Sequence, residues 1–292
     1  MNSDYYLKIV EYGEDKSTEE DYDLTNTFVS PDILYLKAGI SDSFIVEFRD
    51  NDDLRYNKPL DLNNFIFQKS SDLEIKPKLG NKNGQIIVEV NSKTVCDYSK
   101  KCNIAIYEGN ETIANVHIVV SPGDLHHFKI DESSIFDDGK NILIPGEAGS
   151  DVKINIIPYD KYDNLIKDDI FDTKVYPEES FSNLFKLKHL DGYKTSIKSK
   201  TNPVTYKIEL SLSSEKSGTL VLSSIYLDKI YEMTLEPGSP SKYSVGYLEG
   251  EPGDTSAGTE RKFIIEPKDK NGNKIILDDD KEIEELVKKY KI

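Results

Sequence analysis

The sequence predicts an all-β chain of tandem immunoglobulin-like β-sandwiches, and three observations predict it. First, an Ala-Gly pair recurs at Ala38-Gly39, Ala148-Gly149 and Ala257-Gly258, at spacings of 110 and 109 residues. Second, each copy carries at fixed offsets a large apolar residue (Phe44, Ile154, Phe263), a β-branched one (Val46, Ile156, Ile265) and an aspartate (Asp50, Asp160, Asp269). Alternation running into an Asp/Asn turn is the pattern of a half-buried strand entering a hairpin. A repeat of that length suits one sandwich per copy and is too long for a solenoid. Third, Pro122-Gly123 and Pro237-Gly238 each follow one alternating run and precede another. A proline after a strand ends the pairing because it brings no N–H.

The chain in order supports this frame. Tyr5-Tyr6-Leu7-Lys8-Ile9-Val10 reads as a first strand, and residues 14–23 as an acidic, solvated excursion. Residues 34–39 lead into the strand over 44–48. From Arg49 onward the first copy diverges: Leu54 stands where the others have Asn164 and Asn273. Further strands are expected at 65–67, 85–90, 103–107 and 116–120, with turns at Asn83-Gly84 and Glu108-Gly109-Asn110. In the second copy residues 171–190 are the least regular, and 206–210, 219–222 and 231–235 are its last strands. The third copy ends at Ile292, about half a repeat in, which suggests a piece of a longer protein or a truncated gene product. Residues 278–292 read as a helix, with Ile283, Leu286, Val287 and Tyr290 on one face and Lys288-Lys289 near its C-terminus. The domains are therefore set at 1–121, 122–237 and 238–292.

Composition excludes some functions. The 292 residues are long enough for two or three domains. A net charge of −16 would repel phosphates, which argues against nucleic acid and against an electrostatic hold on anionic membranes. No apolar run approaches the ~20 residues of a membrane span, so no direct membrane insertion by this chain is expected. The polar stretch over residues 1–10 lacks a signal peptide's apolar core, which implies the cytosol if Met1 is the natural start. Tyrosine (18) and phenylalanine (11) are plentiful and tryptophan absent, so the cores are expected to combine rings with β-branched side chains.

These residues together resemble the filamin-type immunoglobulin-like repeat. The likeness rests on Ala-Gly, the alternating strand, then Asp-Lys-Tyr-Asp-Asn (160–164) or Asp-Lys-Asn-Gly-Asn (269–273), then an apolar pair (Leu165-Ile166, Ile275-Ile276), and the Pro-Gly joints. It spans two repeats and part of a third. The Gly-Ser-Pro-Phe element usual in such repeats is replaced by Thr112-Ile113-Ala114-Asn115 and by Leu227-Asp228-Lys229-Ile230, and no calponin-homology region is present. Divergent repeats of this type also occur in surface proteins of eukaryotic gametes. The Asn-, Lys-, Asp- and Ile-rich composition resembles that of AT-rich protist genomes. The resemblance implies a non-catalytic adhesion or recognition module in a multi-repeat cell-surface ectodomain, with protein partners and no cofactor. The alternative it implies is a cytoplasmic scaffold linking actin or signalling partners.

Candidate sites are few. Cys96 and Cys102 are the only cysteines; they either staple a hairpin, which requires an oxidising compartment, or are two thiols in a cytosolic loop. Without histidine nearby they make a poor zinc site. Asn110-Glu111-Thr112 fits the glycosylation acceptor pattern at a turn. Asp269, Asn271, Asn273 and Asp280 have the oxygen spacing of a calcium loop, but glycine stands at the fourth position and the last ligand is Asp. An Asn-Gly hairpin turn accounts for the same residues without an ion. The acidic clusters at 50–53, 137–138 and 168–169 read as solvated faces, with calcium between repeats as the lesser alternative. His126 and His127 adjoin and should point to opposite faces of a strand. No phosphate loop, nucleophile elbow or metalloprotease histidine pair occurs. No catalytic residue is therefore assigned. The chain is expected not to be an enzyme; an enzyme carrying accessory sandwiches has only the acidic clusters in its favour.

Overall fold

The structure, a computed structural model, describes residues 22–97, 102–134, 141–142, 146–167, 178–247 and 263–277, with 280, 281, 283, 284 and 288 of the tail. The expected strand at 5–10 lies outside the described residues, as do Ala257-Gly258. The chain divides into two compact units: Met1–Asp124 with Asp160–Asn164, and Leu125–Tyr159 with Leu165–Ile292.

Alternation builds the first unit. In β3 (Asp42–Arg49) Phe44, Val46 and Phe48 are fully buried, while Ile45 faces out. Each such side chain contributes about 1.5–3 kcal/mol on burial. One sheet has the order β1 (Asp23–Ser30), β3, β6 (Gln85–Ser92), β5 (Leu73–Leu79). The other runs β2 (Ile33–Lys37), β8 (Glu111–Ser121), β7 (Asn103–Glu108), β4 (Phe65–Lys69). All pairings are antiparallel except β2 with β8. The chain changes sheets at Pro31, where the missing N–H lets β1 stop and β2 start against the far sheet. Between the sheets lie Phe44, Phe48, Leu73, Ile86, Ile104, Ile106 and Ile118, with Tyr22 edge-on to Phe48 at 4.9 Å.

The second unit repeats that topology strand for strand. β9 (His127–Ile130), β11 (Val152–Tyr159), β14 (Lys207–Ser214) and β13 (Thr195–Asn202) form one sheet. β10 (Gly146–Glu147), β16 (Tyr231–Glu236), β15 (Gly218–Ser223) and β12 (Lys186–His189) form the other, again with one parallel pair, β10 and β16. Its centre is Phe128, Ile154, Ile156, Ile208 and Leu210. A ribbon of β17 (Lys242–Tyr247) and β18 (Phe263–Lys268) follows.

The expected strands at 65–67, 85–90, 103–107 and 116–120 are present as β4, β6, β7 and β8. β1 and β5 were not expected. β5 holds Pro77 between Lys76 and Lys78, a composition that reads as loop but is tolerated at a sheet edge. In the tail, Asp280, Lys281, Ile283, Glu284 and Lys288 are helical; the rest of the expected helix lies outside the described residues.

Candidate functional site

The three sequence signatures meet in one structure, a clasp centred on the repeated aspartate. In the second unit the Asp269 carboxylate accepts from the backbone N–H of Asn271 and Asn273 at one oxygen, both 2.8 Å. Its other oxygen accepts from Asn273 Nδ2 at 2.7 Å and from the N–H of Gly238 at 3.0 Å. Asn273 Nδ2 also donates to the Glu215 carbonyl (2.9 Å), and its Oδ1 accepts from Ser217 N–H (3.2 Å). Asn271 seats on Gly149, where a Cβ would stand 2.3 Å from its Nδ2; Gly149 has φ +82°, so only glycine suits the position twice over. The Ala-Gly pair is the seat, the Pro-Gly turn supplies a donor, and the Asp-Asn loop closes on both.

The first unit contains the same clasp. Asp160 accepts from Tyr162 and Asn164 N–H (2.8 and 2.9 Å), Asn164 Nδ2 (2.9 Å) and Gly123 N–H (2.8 Å). Asn164 reaches the Lys93 carbonyl and the Val95 amide at 2.7 and 3.2 Å. Tyr162 lies over Gly39, where a Cβ would meet its ring at 2.3 Å. Burial would raise the pKa of both aspartates. The donated bonds, led by the Asn164 and Asn273 side chains, outweigh it and hold both carboxyls below the ordinary range. Asp50, expected on a solvated acidic face, is instead buried (1% exposed): its carboxylate accepts from Asp52 and Leu54 N–H, and Leu54 has no side-chain amide to extend.

Of the calcium candidates, Asp269, Asn271 and Asn273 fall within this clasp and Asp280 does not. Both oxygens of Asp269 are taken by N–H donors, Asn273 Oδ1 accepts from Ser217, and Asp280 is exposed on a helical turn. The loop closes as a hairpin turn with Gly272 at φ +79°. Among the described residues no three His, Cys, Asp or Glu side chains gather to hold a metal.

Cys96 and Cys102 form a disulfide with Cα atoms 6.3 Å apart, and both are buried (1% and 4% exposed). It does not staple a hairpin. β6 and β7 belong to opposite sheets, and the bridge closes the crossover between them. Cys96 exchanges backbone hydrogen bonds with Val120, and the Cys102 carbonyl accepts from Ile118 N–H, so both ends lie along β8. Asn110 is exposed at the β7–β8 turn. The adjacent histidines do not diverge: His126 precedes β9, and its Nδ1 lies 3.3 Å from that of His127. His189 is a core histidine, its Nε2 3.1 Å from the Ser217 carbonyl and its Nδ1 accepting from Asp191 N–H.

The sheet edges differ in chemistry. β5 is guarded by Lys76-Pro77-Lys78, β13 by Lys198 and Lys200, β12 by Lys186 and Lys188. β4 opens with Phe65-Ile66-Phe67, uncharged until Lys69, and Ile66 is 59% exposed. An unguarded edge strand is the kind that accepts another strand.

No protein-family model and no curated protein matches this chain. Among solved structures it is similar to the Escherichia coli adhesin FdeC, with 14% identity, a TM-score of 0.46, and 86% of this chain and 76% of that one covered. InvD of Yersinia pseudotuberculosis gives 14%, 0.42, 87% and 73%. Invasin, a bacterial integrin-binding protein, gives 10%, 0.43, 76% and 42%. At these values the likenesses carry no argument about this chain.

Proposed function

We propose that this chain is a non-catalytic adhesion or recognition module, part of a multi-repeat cell-surface or secreted ectodomain built from filamin-like immunoglobulin repeats. The Cys96–Cys102 disulfide carries this reading. Such a bond persists in oxidising compartments and is rare in the cytosol. The recurrent clasp and the identical strand order support a tandem array with domains at 1–121, 122–237 and a third repeat from 238. In this reading the loops of the clasp are ion-free turns, Asn110 is a glycosylation acceptor on an exposed turn, and β4 is the edge at which a protein partner adds a strand. A role in gamete adhesion or fusion is the most specific form of the proposal; it rests on the family resemblance and the composition.

Thiol counting by alkylation and mass spectrometry, on unreduced protein from its own cells, tests the compartment. No free thiol, with a glycan mass on the peptide bearing Asn110, is expected. Two free thiols would overturn the surface reading in favour of the cytoplasmic scaffold.

A further inference from the structure

We propose that the outer face of the β2-β8-β7-β4 sheet is a self-association surface, and that its occupant is a second copy of this chain. Outward positions on this sheet form cross-strand rows: Ile66 beside Tyr107, Asn103 beside His117, and Val119 beside Tyr35. Tyr35 is 61% and Ile66 59% exposed, and Asn103 Nδ2 donates to Asn115 Oδ1 at 3.0 Å across the same face. The outward charge among these strands is Lys37, at the end of β2, where it pairs with Asp124.

The other sheets look different. The opposite face of the same sandwich presents Glu47, Glu89, Lys76 and Lys78. In the second unit the equivalent sheet presents Lys186, Lys188, Glu232 and Glu236, and its partner sheet Lys153, Lys198, Lys200 and Glu209. In a chain of net charge −16, one whole sheet face is thus almost free of charge.

That pattern selects the occupant. Two copies of an acidic chain repel, and a face that brings no carboxylate adds least to that repulsion. A charged face would suit a partner of opposite charge. Asn103 and Asn115 carry donor and acceptor together, so a surface built on them and on rings can complement itself about a two-fold axis. Four strands ~4.8 Å apart with about five residues each give a footprint on the order of 300 Å² per copy, which is the size of a weak, reversible contact. Weak contacts of this kind gain strength when many are displayed together, as on a surface. The inference rests on the charge pattern and stands or falls separately from the compartment tested above.

Sedimentation velocity of the full chain, from micromolar to about 1 mM, reads it directly. A concentration-dependent dimer is expected, tightening as salt is raised because screening relieves the net repulsion. Tyr35→Lys and Asn115→Lys, both at exposed positions, should each weaken the dimer at least tenfold. Ile225→Lys, on the other sandwich at a position 91% exposed, should leave it unchanged. Circular dichroism would show that all three variants remain folded. A monomer throughout, a dimer that loosens with salt, or one as sensitive to Ile225→Lys as to Tyr35→Lys would overturn the proposal.

Discussion

The two sandwiches share one strand order and differ in almost everything the order leaves free. Between β6 and β7 the first unit spends residues 93–102 and a disulfide; between β14 and β15 the second spends 215–217 and needs no covalent tie. The first core centres on Phe44 and Phe48 from one strand, the second on Phe128 packed with Ile154, Ile156, Ile208 and Leu210. Yet both crossovers present the same backbone groups to a clasp: Lys93 and Val95 in one, Glu215 and Ser217 in the other. The lesson is that the clasp constrains backbone at a few points, while packing and outer surface vary around it. Hydrogen bonds to main chain ask little of the side chains that supply it.

The largest break in the comparison should come from the cores. Phe44→Ala removes a fully buried ring and should cost about 3–5 kcal/mol in urea unfolding; the matching Ile154→Ala should cost slightly less, about 2–4. Equal losses would mean that the first core relaxes around the missing ring.

Removing the hub comes next. Asp160→Ala and Asp269→Ala each leave buried N–H donors unpaired and should lose about 2–3 kcal/mol. The same groups set an acid limit. Their folded-state pKa lies below the unfolded value, so their contribution is complete above about pH 4 and is lost as pH falls through the folded pKa. A pH titration of urea stability should therefore fall as pH drops below about 4, and less steeply in Asp269→Ala.

The disulfide distinguishes the units more finely. Closing so short a loop is worth about 2 kcal/mol. Cys96→Ser with Cys102→Ser should destabilise the first sandwich by that amount and leave hydrogen exchange in β11 and β14 unchanged. Smallest are the arms. Asn164→Ala and Asn273→Ala should each cost about 1 kcal/mol, since the hub keeps its backbone bonds. Leu54→Ala, at the corresponding place in the first repeat, should have no such effect on Asp50.

Much of this was legible in the chain. Ala38-Gly39, Pro122-Gly123 and Asp160 to Asn164 stood out as separate marks of a repeat, and β3, β6, β7 and β8 followed from alternation. That the marks close on one another was not legible, although a signal existed. Gly39 precedes Tyr162 by 123 residues and Gly149 precedes Asn271 by 122, a spacing that recurs with the repeat itself. β5 escaped because Pro77 is tolerated only at an edge, and a sequence does not say which strand is an edge. The histidine pair departs from strand alternation because β9 starts at His127, which leaves His126 outside the strand.

By itself, then, the sequence determined the sandwich class and the period of its signatures, because alternation and turn residues act over a few neighbours. Only the tertiary structure decided that Cys96 and Cys102 bridge a crossover between sheets, that Asp269 is saturated by amides, and that one sheet face carries almost no charge. Each of these depends on which distant strands lie side by side, and local preferences do not encode that.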